Sequence, residues 1–131
     1  MKKTIITFIF FLSLYVVFQA CKKEVVAETG KANSVYISAT DCTGSTPTYT
    51  KDIKPIFDSR CATSGCHAAV NPAHNLNLAT YELSKRDFNA HALLCSINQD
   101  AGCKKMPQTG SKLAADDIKK ITCWAKTGFT Q

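Results

Sequence analysis

Cys61-Ala62-Thr63-Ser64-Gly65-Cys66-His67 is the stretch of this 131-residue chain that constrains its fold most tightly. It is a C-x4-C-H element. Two thiols can add across the two vinyl groups of haem as thioethers, and a histidine directly after the second thiol is then carried under the iron as proximal ligand. The usual spacing is C-x-x-C-H, so this element needs a bulged loop, and Ser64-Gly65 supply the small, flexible residues that such a loop tolerates. Two other readings compete: a disulfide between Cys61 and Cys66, which gives no reason for His67, and half of a zinc site. A structural zinc site takes four ligands, usually from two pairs of matching spacing, and His74, His91 and the remaining cysteines offer no such second pair. The expected cofactor is one covalently attached haem c, with Cys61, Cys66 and His67 as its residues.

The chain begins Met1-Lys2-Lys3, continues with an apolar run from Ile5 to Phe18, and reaches Gln19-Ala20-Cys21. A basic start, a short apolar core and a small residue at its end predict an export signal over residues 1–20, because a membrane span needs about 20 apolar residues. Phe18-Gln19-Ala20-Cys21 resembles a bacterial lipobox. That resemblance implies cleavage before Cys21, diacylglycerol on its thiol and lasting attachment to a membrane surface. The expected location is therefore outside the cytoplasm, as a periplasmic or outer-membrane-associated lipoprotein.

Of the seven cysteines, Cys21 is assigned to lipid and Cys61 and Cys66 to haem. Cys42, Cys95, Cys103 and Cys123 remain, an even number that suits two disulfides in an oxidising compartment, with three possible connectivities. Residues 22–48 are polar and show no sustained period, so 21–48 reads as a lipid-anchored flexible tether in which Val35-Tyr36-Ile37 could make a short strand. Residues 49–131 read as one domain. About 80 residues bury a modest core, and haem plus disulfides would supply part of what apolar side chains cannot.

Within 49–131 the pattern is helical. Asp52 can cap a helix running to Arg60, with Pro55 at the third helical position and Ile53, Ile56 and Phe57 on one face. Thr80 can cap a turn containing Tyr81 and Leu83, and the spacing of Phe88, Ala92 and Cys95 predicts a middle helix from Asp87 to Ile97. The last helix is predicted over Ala115–Thr127, with Asp116 and Asp117 in its first turn and Gly128 past its end. Ile118, Ile121, Thr122 and Ala125 share its apolar face, with Trp124 at the margin and Cys123 pointing outward. An outward Cys123 can clasp the tether end through Cys42, and a Cys95–Cys103 bridge would close a short loop ahead of Met106.

Taken in order, Tyr49 through Phe57, the Cys61/Cys66/His67 element, Leu76-Asn77-Leu78, Met106-Pro107, and Leu113 through Asp117-Ile118 to Trp124 and Gly128 resemble the small cytochrome c domains of the planctomycete type. The resemblance covers most of residues 49–129. It implies a mainly α fold, a small cytochrome c-like domain of three or more helices around a covalently attached haem. It also implies that Cys61, Cys66 and His67 are the attachment residues and that Met106-Pro107 is the family's Met-Pro. This chain departs in its four-residue spacer and in its extra cysteines. Elimination points the same way for the sixth iron ligand: Met106 is the one methionine after Met1, and it lies in a polar loop with little core to fill. His74 and His91 are the runners-up. The metal ligands expected are thus His67 and Met106.

A six-coordinate haem has no open position for substrate, and no paired carboxylates, Ser-His-Asp arrangement or phosphate-cradling glycine loop is present. Single-electron transfer is expected, not catalysis. The alternatives are a haem enzyme or gas/peroxide sensor with an open sixth position, or a disulfide-stabilised binding module without haem. A formal charge of +6 suits acidic redox donors and acceptors, with Lys104 and Lys105 near the haem edge; without a concentrated basic stripe, nucleic acid is not an expected partner.

Overall fold

A computed structural model of the protein describes residues 26–131. The expected export signal and the expected lipid attachment at Cys21 lie outside these residues. The described part is mainly helical, without a strand: α1 (Val26–Ala39), α2 (Lys54–Arg60), α3 (Tyr81–Ala90), α4 (Leu93–Asn98) and α5 (Ala115–Lys126). None of these helices is long and apolar enough to cross a membrane.

Trp124 of α5 is the centre of the core. It is fully buried, with Phe57, Phe88 and Phe129 set edge-to-face around it at 6.3, 6.3 and 4.8 Å between ring centroids, a geometry that aromatic quadrupoles favour. Tyr49 and Tyr81 complete the cluster. The C-terminus closes over the ring by a local device. Gly128 takes φ +88°, its N–H reaches Ala125 O at 3.2 Å, and the Phe129 N–H reaches Trp124 O at 2.9 Å. This is a Schellman stop with its accompanying hydrophobic contact. It lets Thr130 O accept from both Trp124 Nε1 and Tyr49 N, each at 2.8 Å.

Several expectations need correction. Residues 26–39 are neither tether nor strand but helix α1, which packs against α3, α4 and α5. Its anchor is polar: buried Asn33 donates through Nδ2 to Phe88 O and His91 O, both at 2.8 Å, and accepts from Leu94 N at 3.1 Å. One amide thus satisfies the end of α3 and the start of α4, and the single middle helix expected over Asp87–Ile97 is two helices broken at His91-Ala92. The packed body therefore begins before residue 49.

The entry to α2 also differs. A wide turn over Tyr49–Ile53, with Ile53 N bonded to Thr48 O at 3.2 Å, precedes the helix. Thr48 is its cap, and Asp52 reaches back to accept from Thr48 N at 2.9 Å. Trp124 is central and not marginal, and Cys123 is buried and not outward, because α5 is covered by α1 on one side and by the aromatic cluster on the other. The disulfides join Cys42 to Cys123 and Cys95 to Cys103, the pairings expected from sequence. Thr80 caps α3, accepting from Leu83 N.

Candidate functional site

The loop after α2 is closed by its own backbone. Cys61 N and Ala62 N both bond to Phe57 O, at 2.8 and 2.7 Å, ending the helix. Cys66 N bonds to Thr63 O at 3.0 Å around Gly65, whose φ of +76° suits glycine. The His67 N–H then returns to Cys61 O at 3.0 Å. The four-residue spacer therefore folds into a bulge whose ends are pinned together, and His67 arrives beside the end of α2.

His67 is buried, at 7 % exposure, and its backbone is tied to the following segment by Leu78 N bonding to His67 O at 2.9 Å. Its Nδ1 lies 3.0 Å from Leu76 O. A carbonyl can only accept, so Nδ1 carries the proton and Nε2 remains as the basic nitrogen, the arrangement that orients metal-bound imidazoles. Burial lowers the His67 pKa, with the carbonyls of Leu76 and Ala73 pulling the other way and His74 and His91 adding to the depression. The segment holding Leu76 is fixed in turn by buried Asp87, whose Oδ2 accepts from Asn77 N at 2.7 Å.

Both cysteines of the element are free thiols, Cys61 half-buried and Cys66 exposed, so they are not a disulfide. Burial pushes the Cys61 thiol up to about 11, opposed by Arg60 and reinforced by Cys66; it is protonated at neutral pH. Met106 is half-buried. Its N–H bonds to Ser96 O at 3.0 Å, and its carbonyl accepts from Gln99 Nε2 at 3.3 Å. The Cys95–Cys103 bridge restrains the same loop from its other end. The Met106–Pro107 peptide is cis.

Cys61, Cys66, His67 and Met106 line one cavity of about 540 Å³, together with the apolar Ile97 and Leu113. A second cavity, about 440 Å³, adjoins it and shares Cys61, His67, Ile97 and Met106. Its walls include Phe57, Leu76, Leu78 and Leu93, and both runner-up ligands, His74 and His91, lie on its lining. All four expected cofactor residues thus line one cavity, whereas Cys42 and Cys123 line neither. Sequence reasoning missed the Leu76 carbonyl and Asp87. A main-chain acceptor carries no residue-type signal.

The site fits haem by its chemistry. An imidazole with one committed nitrogen, a thioether and two free thiols meet at mainly apolar walls, in spaces within the roughly 300–1,000 Å³ usual for cofactor sites. Among the described residues no three His, Cys, Asp or Glu side chains converge to hold a metal ion by themselves. In comparisons with known proteins, no family model, curated protein or solved structure matches the chain.

Proposed function

We propose that the protein is a membrane-anchored c-type cytochrome that carries single electrons. Cys61 and Cys66 would hold haem c as thioethers, and His67 Nε2 and the Met106 sulfur would ligate its iron. When bound, the group supplies reversible one-electron chemistry, and Met/His ligation sets a higher potential than two imidazoles would. The residues have distinct tasks. The Leu76 carbonyl fixes the His67 ring, Ser96 and Gln99 hold the Met106 loop, and Phe57, Leu78 and Leu93 exclude water from the walls. The observation that carries this reading is the commitment of His67 Nδ1 to Leu76 O beside two free thiols, in a cavity that also holds Met106.

The two disulfides and the lipobox-like Cys21 support an exported lipoprotein whose partners are redox proteins with acidic docking faces; Lys104 and Lys105 flank the ligand loop and are exposed. The test is expression with haem-attachment machinery, followed by haem staining of a denaturing gel and intact mass. The wild type should carry one haem. Cys61→Ser/Cys66→Ser should carry none covalently, and equal staining of that variant would sink the assignment. Mass measurement of native protein with a free Cys21 thiol would remove the lipid anchor.

A further inference from the structure

We propose that His91, with His74 and Lys104 beside it, forms the carboxylate-receiving end of the cofactor site and holds the propionates of haem; this rests on the haem reading above. The two cavities share Cys61, His67, Ile97 and Met106, but only the first contains Cys66. In haem the vinyl edge and the propionate edge are opposite one another. Attachment at Cys61 and Cys66 therefore directs the propionates away from Cys66, past the shared wall and into the second cavity.

The second cavity is equipped for anions. His74, His91, Ser96 and Lys104 contribute to its lining, and no Asp or Glu does. A carboxylate leaving water needs donors of this kind to offset its desolvation. At the Cys66 end, Arg60 Nη2 donates to Ser111 O at 2.7 Å and Ser59 Oγ donates to Pro55 O at 2.8 Å, while Gln108 and Thr109 are neutral donors on that lining. The side chains of His74, His91 and Lys104 make no hydrogen bond or close ion pair among the described residues, although Asp87 is near enough to interact electrostatically with His91. The place of His91 is built and not accidental. Asn33 bonds the His91 carbonyl at 2.8 Å and the Leu94 amide at 3.1 Å, fixing the break between α3 and α4 that turns residue 91 toward the cavity.

Resonance Raman spectroscopy of the haem-loaded full chain tests this through the propionate bending modes, which report hydrogen bonding to the carboxylates. His91→Ala and Lys104→Ala should shift these modes, His91→Gln should restore part of the wild-type position by keeping a donor, and Arg60→Ala should leave them in place. A shift in Arg60→Ala with none in His91→Ala would put the propionates at the other end and overturn the proposal. Modes unmoved by all these variants would overturn it too, as propionates left in solvent. Haem staining of each sample separates the two levels. Loaded protein with unmoved modes defeats only the propionate assignment, whereas wild type without covalent haem defeats the cytochrome reading and this one together.

Discussion

The two sides of α5 and α4 solve the packing problem in opposite ways. Around Trp124 the chain closes on itself: six aromatic rings interlock, and the C-terminal carbonyls of Phe129 and Thr130 accept from Tyr81 Oη, Trp124 Nε1 and Tyr49 N. Around Met106 the chain is held open, with apolar walls facing the two cavities and a buried imidazole whose ring nitrogen is aimed by a carbonyl. The closed side resembles an ordinary protein interior, where dense packing supplies stability. The open side sets the end of α2 and Ile97 of α4 around a space. The contrast teaches that stability and site can be altered separately in this molecule.

The largest break should come from the closed side. Trp124→Ala removes the hub that touches five other rings, and large-to-small changes of this kind cost about 3–5 kcal/mol. Denaturant unfolding followed by far-ultraviolet dichroism should show that loss or no folded state at all. A change under about 1 kcal/mol would mean that the aromatic cluster is not the core.

Next come the disulfides, which differ in the length of chain they close. Cys42–Cys123 spans a sequence separation of 81 and Cys95–Cys103 one of 8. Loop-closure entropy gives about 4.5 and about 2.6 kcal/mol respectively, as upper values. Cys42→Ala/Cys123→Ala should therefore lower stability more than Cys95→Ala/Cys103→Ala, in thermal unfolding at matched conditions. The shorter bridge should instead matter for the Met106 loop, visible as faster amide exchange at Met106 when it is removed. Equal losses from both pairs, with no local change, would erase the distinction between the two sides.

The sequence made some of this legible and hid the rest for identifiable reasons. α5 was readable because its acidic first turn, its apolar stripe and Gly128 all agree with one another, and Thr80 was readable as a cap because its effect is local. The site was readable as residue types, since thiols, imidazole and thioether announce their chemistry wherever they lie. α1 was not readable. Its docking depends on Asn33, a polar residue whose partners are 55 to 61 positions away, and hydrophobic periodicity has no way to register that. The position of Trp124 was misjudged for a related reason: a helix covered on two sides loses the single stripe on which the periodicity argument rests. The His91 break followed from the same Asn33 bonds.

A smaller effect joins the two sides through Asp87. Burial alone would raise its carboxyl, but Arg86 and the Asn77 N–H outweigh it and leave the pKa below the ordinary value. A depressed folded pKa adds stability that is present above the unfolded value of about 3.9 and is lost as pH falls through the folded one. Asp87→Asn should thus cost about 1 kcal/mol at neutral pH, the gap between a charge-assisted and a neutral hydrogen bond. The variant and wild type should converge as pH falls through the lowered folded value. A constant gap across pH in denaturant titrations would show that the charge of Asp87 is not what anchors the Leu76–Leu78 segment.

Met106→Ala should have the smallest effect on stability and the clearest effect on the site. Met106 borders cavities that are already open, so truncating it enlarges a space and does not tear a packed core; the cost should stay below about 1 kcal/mol, in contrast to the cavity-forming changes near Trp124. On the proposed ligation, the same change in haem-loaded protein would remove a neutral, soft sulfur ligand that favours ferrous iron. The reduction potential should fall, the sulfur-to-iron charge-transfer band of the oxidised form should vanish, and carbon monoxide or cyanide should gain a binding position. Met106→His should keep six coordination at a lower potential. If wild-type protein already binds these ligands readily, and Met106→Ala leaves spectrum and potential unchanged, Met106 is a loop residue and the open-site enzyme or sensor reading takes precedence. If Met106→Ala instead destabilises the unloaded chain as much as Trp124→Ala does, the open side is part of the core and the separation of stability from site fails.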